Sequence, residues 1–244
     1  MSRTALALSP HLDDAAFSCG GTLAKLARSG WRVVVATLFT GSVPHPDGFA
    51  LACQLDKGLG PEVDYMALRR AEDVAAMLAL GAEPPVHIPL PEAPHRGYHS
   101  AQALFASPLA ADDIGRDIEA TVADLLATHV PDLVLAPQAI GGHVDHVQVV
   151  RALKGVSCPI LWWRDFPYVV RTATPAEPFA TMMAGKPERS VEADAVERDA
   201  KQAACLAYAS QVGFQFGGVD GLRNRLSEAG AAEHFRSDGA VSFD

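Results

Sequence analysis

The stretch Trp31-Arg-Val-Val-Val-Ala-Thr-Leu38 is β-branched and almost continuously apolar, and a shorter apolar run, Thr4–Ser9, precedes it. Unbroken runs of this kind mark strands buried on both faces, which requires a parallel sheet covered by helices. Between the two runs, Ala15–Ser29 places Phe17, Leu23 and Leu26 at helical spacing, carries Lys25 and Arg28 near its end, and is followed by Gly30 as a stop signal. Strand, helix and strand in so short a length specify a right-handed parallel crossover. The pattern then recurs. Helices are expected at Tyr65–Leu80 (closed by Gly81), Asp112–Thr128, His143–Leu153 and, as a last long helix, near Val196–Ser210. Strands are expected at Val86–Leu90, Asp132–Ala136 and Pro159–Trp163. The reading is an α/β fold: a Rossmann-like, doubly wound, mostly parallel sheet in a single domain over residues 1–244. Folds of this kind bind ligands at the carboxyl ends of the strands. Connections 41–64, 91–111 and 164–195 are long, and two of them are rich in proline. Ordinary connections run about 2–6 residues, so these three are expected to build the rim of a site.

Composition narrows the partners. The chain has 244 residues, 49% of them hydrophobic, and a net charge of -9. A chain of this length can bury roughly 70–75% of its unfolded surface without staples. Its basic residues are scattered, which argues against nucleic acid or an anionic membrane surface and in favour of a small molecule or neutral polymer. No basic leader and no apolar run of about 18–20 residues is present, so a cytoplasmic location and no membrane association are expected. Cys19, Cys53, Cys158 and Cys205 are far apart, with no CxxC pair. They are read as reduced and structural.

The polar residues at two strand ends carry the chemistry. His11, Asp13 and Asp14 lie where the first strand gives way to the first helix, and His143-Val144-Asp145-His146 follows the strand "DLVLAP" in the same way. Singly, each has a bland reading: a histidine satisfied in the core, or an aspartate placed at a helix N-terminus. Capping does not account for two histidine–aspartate clusters, each placed after a parallel strand. Brought together at one crevice, they offer imidazole and carboxylate ligands suited to zinc, and three ligands with one open position would make the site catalytic. The pair Gly20-Gly21 invites a dinucleotide-binding reading that fails, because the turn before it carries two carboxylates that would repel a pyrophosphate. The glycines are expected to let the helix pack closely on a neighbour.

The stretches "SPHLDDAAFSCGGTLA" and "GGHVDHVQVV" resemble the two signatures of the PIG-L/LmbE-like zinc-dependent deacetylases, Pro-His-Pro-Asp-Asp-Glu with a following glycine pair and His-x-Asp-His. "RRAEDVAAMLALG", "LPEAPHRGY", "RDFPYV" and "KQAACLAYASQ" resemble family segments in the expected order, so the resemblance spans about residues 4–215. It implies zinc held by His11, Asp14 and His146, Asp13 as general base, and His143 beside the reacting carbonyl with Asp145 holding its imidazole. The chemistry is consistent with those roles: a protonated His143 would stabilise an oxyanion, and Asp13 would return its proton to the departing amine. The implied substrate is an N-acetyl amino sugar or glycoconjugate, cleaved to a free amine and acetate.

The chain departs from the family pattern at Leu12, where proline is common, and at Ala15, where glutamate is common; the second change removes a carboxylate that could support a ligand. Arg69, which aligns with the family's Arg-x-x-Glu segment, and Arg96 are candidates for gripping substrate hydroxyl or phosphate groups. Glu92, Asp165, Tyr168 and Gln211 are candidates for lining the cleft. His45, His87, His95, His99, His129 and His234 have no partner at ligand spacing and are read as non-ligands, His95 being the least secure of these. Trp162 and Trp163, taken as exposed, would suit an interface between copies of the chain. Two other readings stand beside deacetylation: a metal-dependent amidase acting on another small conjugate, such as a thiol conjugate, and a catalytically silent sugar-binding module suggested by Ala15. Iron, cobalt and manganese tolerate the same ligands as zinc.

Overall fold

Each central strand of the protein divides its side chains between two cores with a period of two. In the computed structural model, which describes residues 2–239 and 241, Ala5 and Ala7 of β1 (Thr4–Ser9) join one hydrophobic cluster, and Leu6 and Leu8 join the other. Val33 and Val35 of β2 (Arg32–Thr37) and Leu133 and Leu135 of β4 (Leu133–Pro137) follow the first pair, while Val34, Ala36, Val134 and Ala136 follow the second. Both faces of the sheet are therefore dry, as the unbroken apolar runs required. The first cluster packs under α1 (Asp14–Arg28), α3 (Tyr65–Leu80) and α9 (Ala195–Ala207), and the second under α5 (Gly115–His129) and α6 (Val144–Ala152).

Among the described residues, seven strands form one sheet in the order β3-β2-β1-β4-β5-β7-β6, with β3 at Val86–His87, β5 at Ile160–Trp163, β6 at Glu188–Glu192 and β7 at Ala232–Asp238. Strands β1 to β5 are parallel, with β1 registered on β2 from Thr4 opposite Arg32 to Ser9 opposite Thr37. Since β1 and β4 are neighbours, their carboxyl ends lie side by side, and so do the two polar clusters that follow them. The remaining helices are α2 (Gly48–Leu55), α4 (Ala101–Leu104), α7 (Tyr168–Arg171), α8 (Ala180–Ala184), α10 (Ala209–Phe216) and α11 (Val219–Ala229).

Helix α3 has the expected ends, closed by Gly81 at φ 69, and three other expectations need correction. Strand β3 stops at His87, since beyond it Phe39 and Pro89 form only an isolated antiparallel bridge. The last long helix does not run to Ser210. It breaks at Tyr208, whose hydroxyl donates to Asp73 Oδ1 at 2.5 Å, while Glu72 receives the backbone N–H and hydroxyl of Ser210, turning the chain into α10. Trp162 and Trp163 are not a surface pair. They are 3% and 0% exposed, because β5 is interior to the sheet, flanked by β4 and by the antiparallel β7 that the sequence reading did not foresee.

The glycine pair in α1 does serve packing. A Cβ at Gly20 would meet Lys201 Cγ at 3.1 Å, and one at Gly21 would meet Ala193 Cβ at 3.1 Å. The helix is interrupted at Cys19 (φ -138, ψ 23), and its second half receives a new N-terminal cap. Glu233 of β7 accepts from Gly21 N at 3.0 Å and from Thr22 N at 2.7 Å. A buried carboxylate at a helix start is favourable there, and Lys201 Nζ at 2.6 Å neutralises it.

Candidate metal and active site

The first polar turn holds itself in place. Ser9 Oγ donates to His11 O at 2.7 Å and accepts from Ala15 N at 3.1 Å, and His11 N donates to Asp14 Oδ2 at 2.8 Å. Asp13 sits between them at φ 148, a conformation L-residues adopt at a cost, and this turns its carboxylate away from that of Asp14. Asp14 faces the histidines, with Oδ2 at 3.1 Å from both His11 Nδ1 and His146 Nε2. Asp13 faces Arg69 Nη2 at 3.3 Å and Gln215 Nε2 at 3.0 Å. The two adjacent carboxylates are thus given different surroundings.

The second turn is held from a distance. His146 Nδ1 bonds Asp165 Oδ1 at 2.7 Å, and the other oxygen of Asp165 accepts from Ile140 N at 2.9 Å. His11 Nε2 bonds Asp145 Oδ2 at 2.9 Å. Each of these imidazoles therefore leans on a carboxylate through one nitrogen and turns the other towards Asp14, the arrangement by which proteins orient histidine ligands on a metal. The ligand atoms of His11, His143 and His146 all lie within 4.8 Å of one another, a group able to hold a metal.

The donor set fits a cation. Nε2 of His146 is buried and makes no hydrogen bond despite the nearby Asp14 oxygen. Ligands at zinc-like bond lengths of about 2.0–2.2 Å in a tetrahedron are separated by roughly 3.3–3.6 Å, a little beyond the two 3.1 Å separations here. Charge points the same way. Burial works against protonation of His11 and His146, yet the neighbouring carboxylates win, raising His11 well above its ordinary value and His146 to about 9. Burial also opposes ionisation of Asp14, but His146 and His11 hold it well below the usual carboxylate range. The cluster of carboxylates and imidazoles favours positive charge at this point.

Two expected roles change. The carboxylate of Asp145 makes no hydrogen bond to His143: it is engaged by His11, by Arg96 Nη2 at 2.6 Å and by Ala93 N at 3.2 Å, and it stands 4.0 Å from His143 Nδ1. His143 instead accepts the backbone N–H of Asp145 at Nδ1, 3.2 Å away, and burial, reinforced by His11, pushes its pKa down to about 3, so it is neutral rather than protonated. With Nδ1 accepting, the neutral ring carries its proton on Nε2. Arg96, expected to grip substrate, is 8% exposed at its side chain and engaged by Asp112, Asp145 and the Pro91 carbonyl. It acts on the site by fixing Asp145.

Arg69 does reach the site. It lines a cavity of about 710 Å³ that also exposes His11, Asp13, Asp14 and His143. Its other contacts are Glu92 Oε1 at 2.8 Å and Leu12 O at 2.7 Å. Burial disfavours its charge but Tyr65 and Asp13 outweigh this, so it stays a cation. Burial pushes Asp13 up to about 7, with Arg69 opposing, in the range that suits a general base near neutrality. Glu92, Tyr168 and Gln211 line the same cavity, whereas Asp165 lies behind His146. His45 and His95 are on the cavity wall, and neither belongs to the ligand cluster. Gln215 and Asp112 were not singled out from sequence, since neither sits in a motif and both come to the site only through tertiary packing.

The motifs and the geometry now meet the known proteins. A family model described as PIG-L: GlcNAc-PI de-N-acetylase matches residues 6–157. The chain belongs to this family. Among its members' relatives, 2'-N-acetylparomamine deacetylase of Streptomyces fradiae is 35% identical over 167 residues, which is 67% of this chain and 57% of that protein. The chain thus spans little more than half the length of that curated relative. Two solved structures cover nearly the whole chain. The zinc-inhibited form of teicoplanin deacetylase Orf2 is 27% identical with a TM-score of 0.78, covering 96% of this chain and 97% of its own. The A40926 pseudoaglycone deacetylase Dbv21 is 28% identical with a TM-score of 0.79, covering 98% of each chain. Among the described residues, no helix is long and apolar enough to cross a membrane.

Proposed function

We propose that this PIG-L family protein is a zinc-dependent hydrolase that removes the N-acetyl group of an amino-sugar substrate. The observation that carries the reading is the division of labour in the first turn: Asp14 Oδ2 faces two histidine nitrogens at 3.1 Å, while Asp13 is turned away against Arg69 and Gln215. The deacetylase names of the relatives support it.

In this reading His11 through Nδ1, Asp14 through Oδ2 and His146 through Nε2 hold the metal. His143 is left out because its Nδ1 is engaged by the backbone and its Nε2 carries the proton. Zinc held there would act as a Lewis acid that polarises the amide carbonyl and makes water more acidic. Asp13 takes the proton from the attacking water. Arg69 and Gln215 keep its carboxylate oriented, and Arg69 balances the charge as Asp13 cycles between its forms. Nε2–H of neutral His143 donates to the oxyanion that develops as the carbonyl carbon becomes tetrahedral, a role that needs a donor and not a charge. Asp13 then delivers its proton to the departing nitrogen, leaving a free amine and acetate.

The test is acetate release from an N-acetylglucosaminide by protein carrying one equivalent of zinc. Asp13→Asn should retain the metal and lose about 10²–10⁴ of the rate. Undiminished turnover by that variant rejects the mechanism, and binding of the sugar without any acetate release at saturating zinc rejects the enzyme.

A further inference from the structure

A second cavity, of about 420 Å³, opens where the antiparallel strands extend the sheet, and none of the described residues lines both it and the cavity of the reacting end. Its walls come from β6 and β7, from α8, from Gln138 and Ile140 beyond β4, and from Arg164 just after β5. The register of the sheet decides which side chains meet there. Trp162 pairs with Arg236, and Arg164 N donates to His234 O at 3.4 Å. Side chains alternate along a strand, so Arg164, His234 and Arg236 share the sheet face of Trp162, the face that packs Met183 of α8.

Cations gather on this wall although the chain carries a net charge of -9. Arg236 is anchored: Nη1 donates to Lys186 O at 3.1 Å, and Nη2 meets Glu188 Oε1 at 2.7 Å. Arg164 is exposed, as is Arg189 of β6, which also lines the cavity, and among the described residues neither makes an ion pair. Glu177, the remaining acidic residue of the wall, pairs with neither of them. Like charges at neighbouring sheet positions repel one another, and here Arg236 has already taken the carboxylate of Glu188. The wall itself is firmly tied. Gln138 donates from N to Trp163 O at 3.0 Å and from Nε2 to Trp162 O at 2.8 Å, and Ile140 N donates to Asp165, the partner of His146. The cavity therefore backs onto the platform that supports His146, and its shape is set before any ligand arrives.

We propose that this second cavity binds a small molecule bearing a phosphate group. A phosphate monoester carries about -1.5 to -2 charges near neutral pH and three strong acceptor oxygens, which suit several guanidinium forks and an imidazole better than one carboxylate does. A volume of about 420 Å³ leaves room beside the phosphate for the body of a sugar-sized molecule. The site stands apart from the deacetylase reading and does not depend on it.

The experiment titrates glucose 6-phosphate, glucose and inorganic phosphate by calorimetry into the full chain, into Arg164→Gln and into Arg116→Gln. Arg164 is exposed and its side chain holds no other residue, so the variant should fold. Arg116 of α5 is exposed too and lines neither cavity, which makes its loss a charge-matched control. Glucose 6-phosphate should bind and glucose should not. Arg164→Gln should weaken that binding about tenfold or more, the worth of one charge-assisted hydrogen bond, while Arg116→Gln leaves it within about twofold. Inorganic phosphate that binds as tightly as the ester, with the same dependence on Arg164, supports the site and identifies the free ion as its ligand. No binding of either phosphate overturns the proposal. So does binding that Arg164→Gln leaves intact, which would put the anion in the reacting cavity, and so does equal weakening by the two variants, which would make the effect one of overall charge.

Discussion

The two turns that form the site follow neighbouring parallel strands and supply similar side chains, yet they are built differently. The turn after β1 is tied by bonds among Ser9, His11, Asp14 and Ala15, all within six residues. The turn after β4 takes its shape from Ala139, Gly141 and Gly142, all at positive φ, and its support from residues elsewhere in the chain: Asp165 behind His146, and Arg96 and Ala93 on Asp145. The backbone of the first turn is tied mainly from within, and the other turn is a platform completed by the fold. Distant residues reach the first turn chiefly at its side chains, Asp145 on His11 and Arg69 and Gln215 on Asp13, whereas the second depends on them throughout.

That contrast can be broken first at the ligands, where the turns should behave alike. Asp14→Ala and His146→Ala should each take metal content from about one per chain to a small fraction under dialysis, with loss of activity; metal analysis reads this directly. Next, the distant supports should matter selectively. Asp165→Asn should weaken metal affinity about 10–100-fold through His146 while the first turn keeps its shape, measured by competition with a chelator. Gly141→Ala should lower stability by about 1–3 kcal/mol, read by denaturant unfolding, because its φ is +96 and the new Cβ would lie 2.9 Å from the Tyr168 ring. The smallest effect isolates strain in the first turn. Asp13→Gly should be more stable than Asp13→Ala by about 1 kcal/mol, or roughly 2–4 °C in Tm, because only glycine relaxes at the φ of 148. Equal stabilities would show that the turn stores no strain there.

Much of this was legible in the sequence because it is local. The β1–α1–β2 crossover, the ends of α3 and both His/Asp clusters depend on spacing within a dozen or so residues. The supports were not legible in the same way. Asp145 stands two residues from His143 in sequence, but its carboxylate bonds His11, 134 residues away. Arg96 looked like a free guanidinium and proved to be occupied by Asp112 and Asp145. Strands β6 and β7 escaped because an edge pair with exposed residues on β6 lacks the apolar run that marks a buried strand. Ala15 stands where the family commonly has glutamate, and the two imidazoles that face Asp14 each have a carboxylate from elsewhere, Asp145 on His11 and Asp165 on His146.

The interruption of α1 at Cys19 ties the first helix to the seventh strand. The helix that carries Asp14 at its start is capped midway by Glu233, 212 residues from Gly21. During synthesis the first helix can form soon after it leaves the ribosome, but its second half acquires its cap only when β7 has been made and inserted between β5 and β6. Completion of the first helix thus waits on β7, and a nascent chain stopped short of that strand would carry both signatures without this cap.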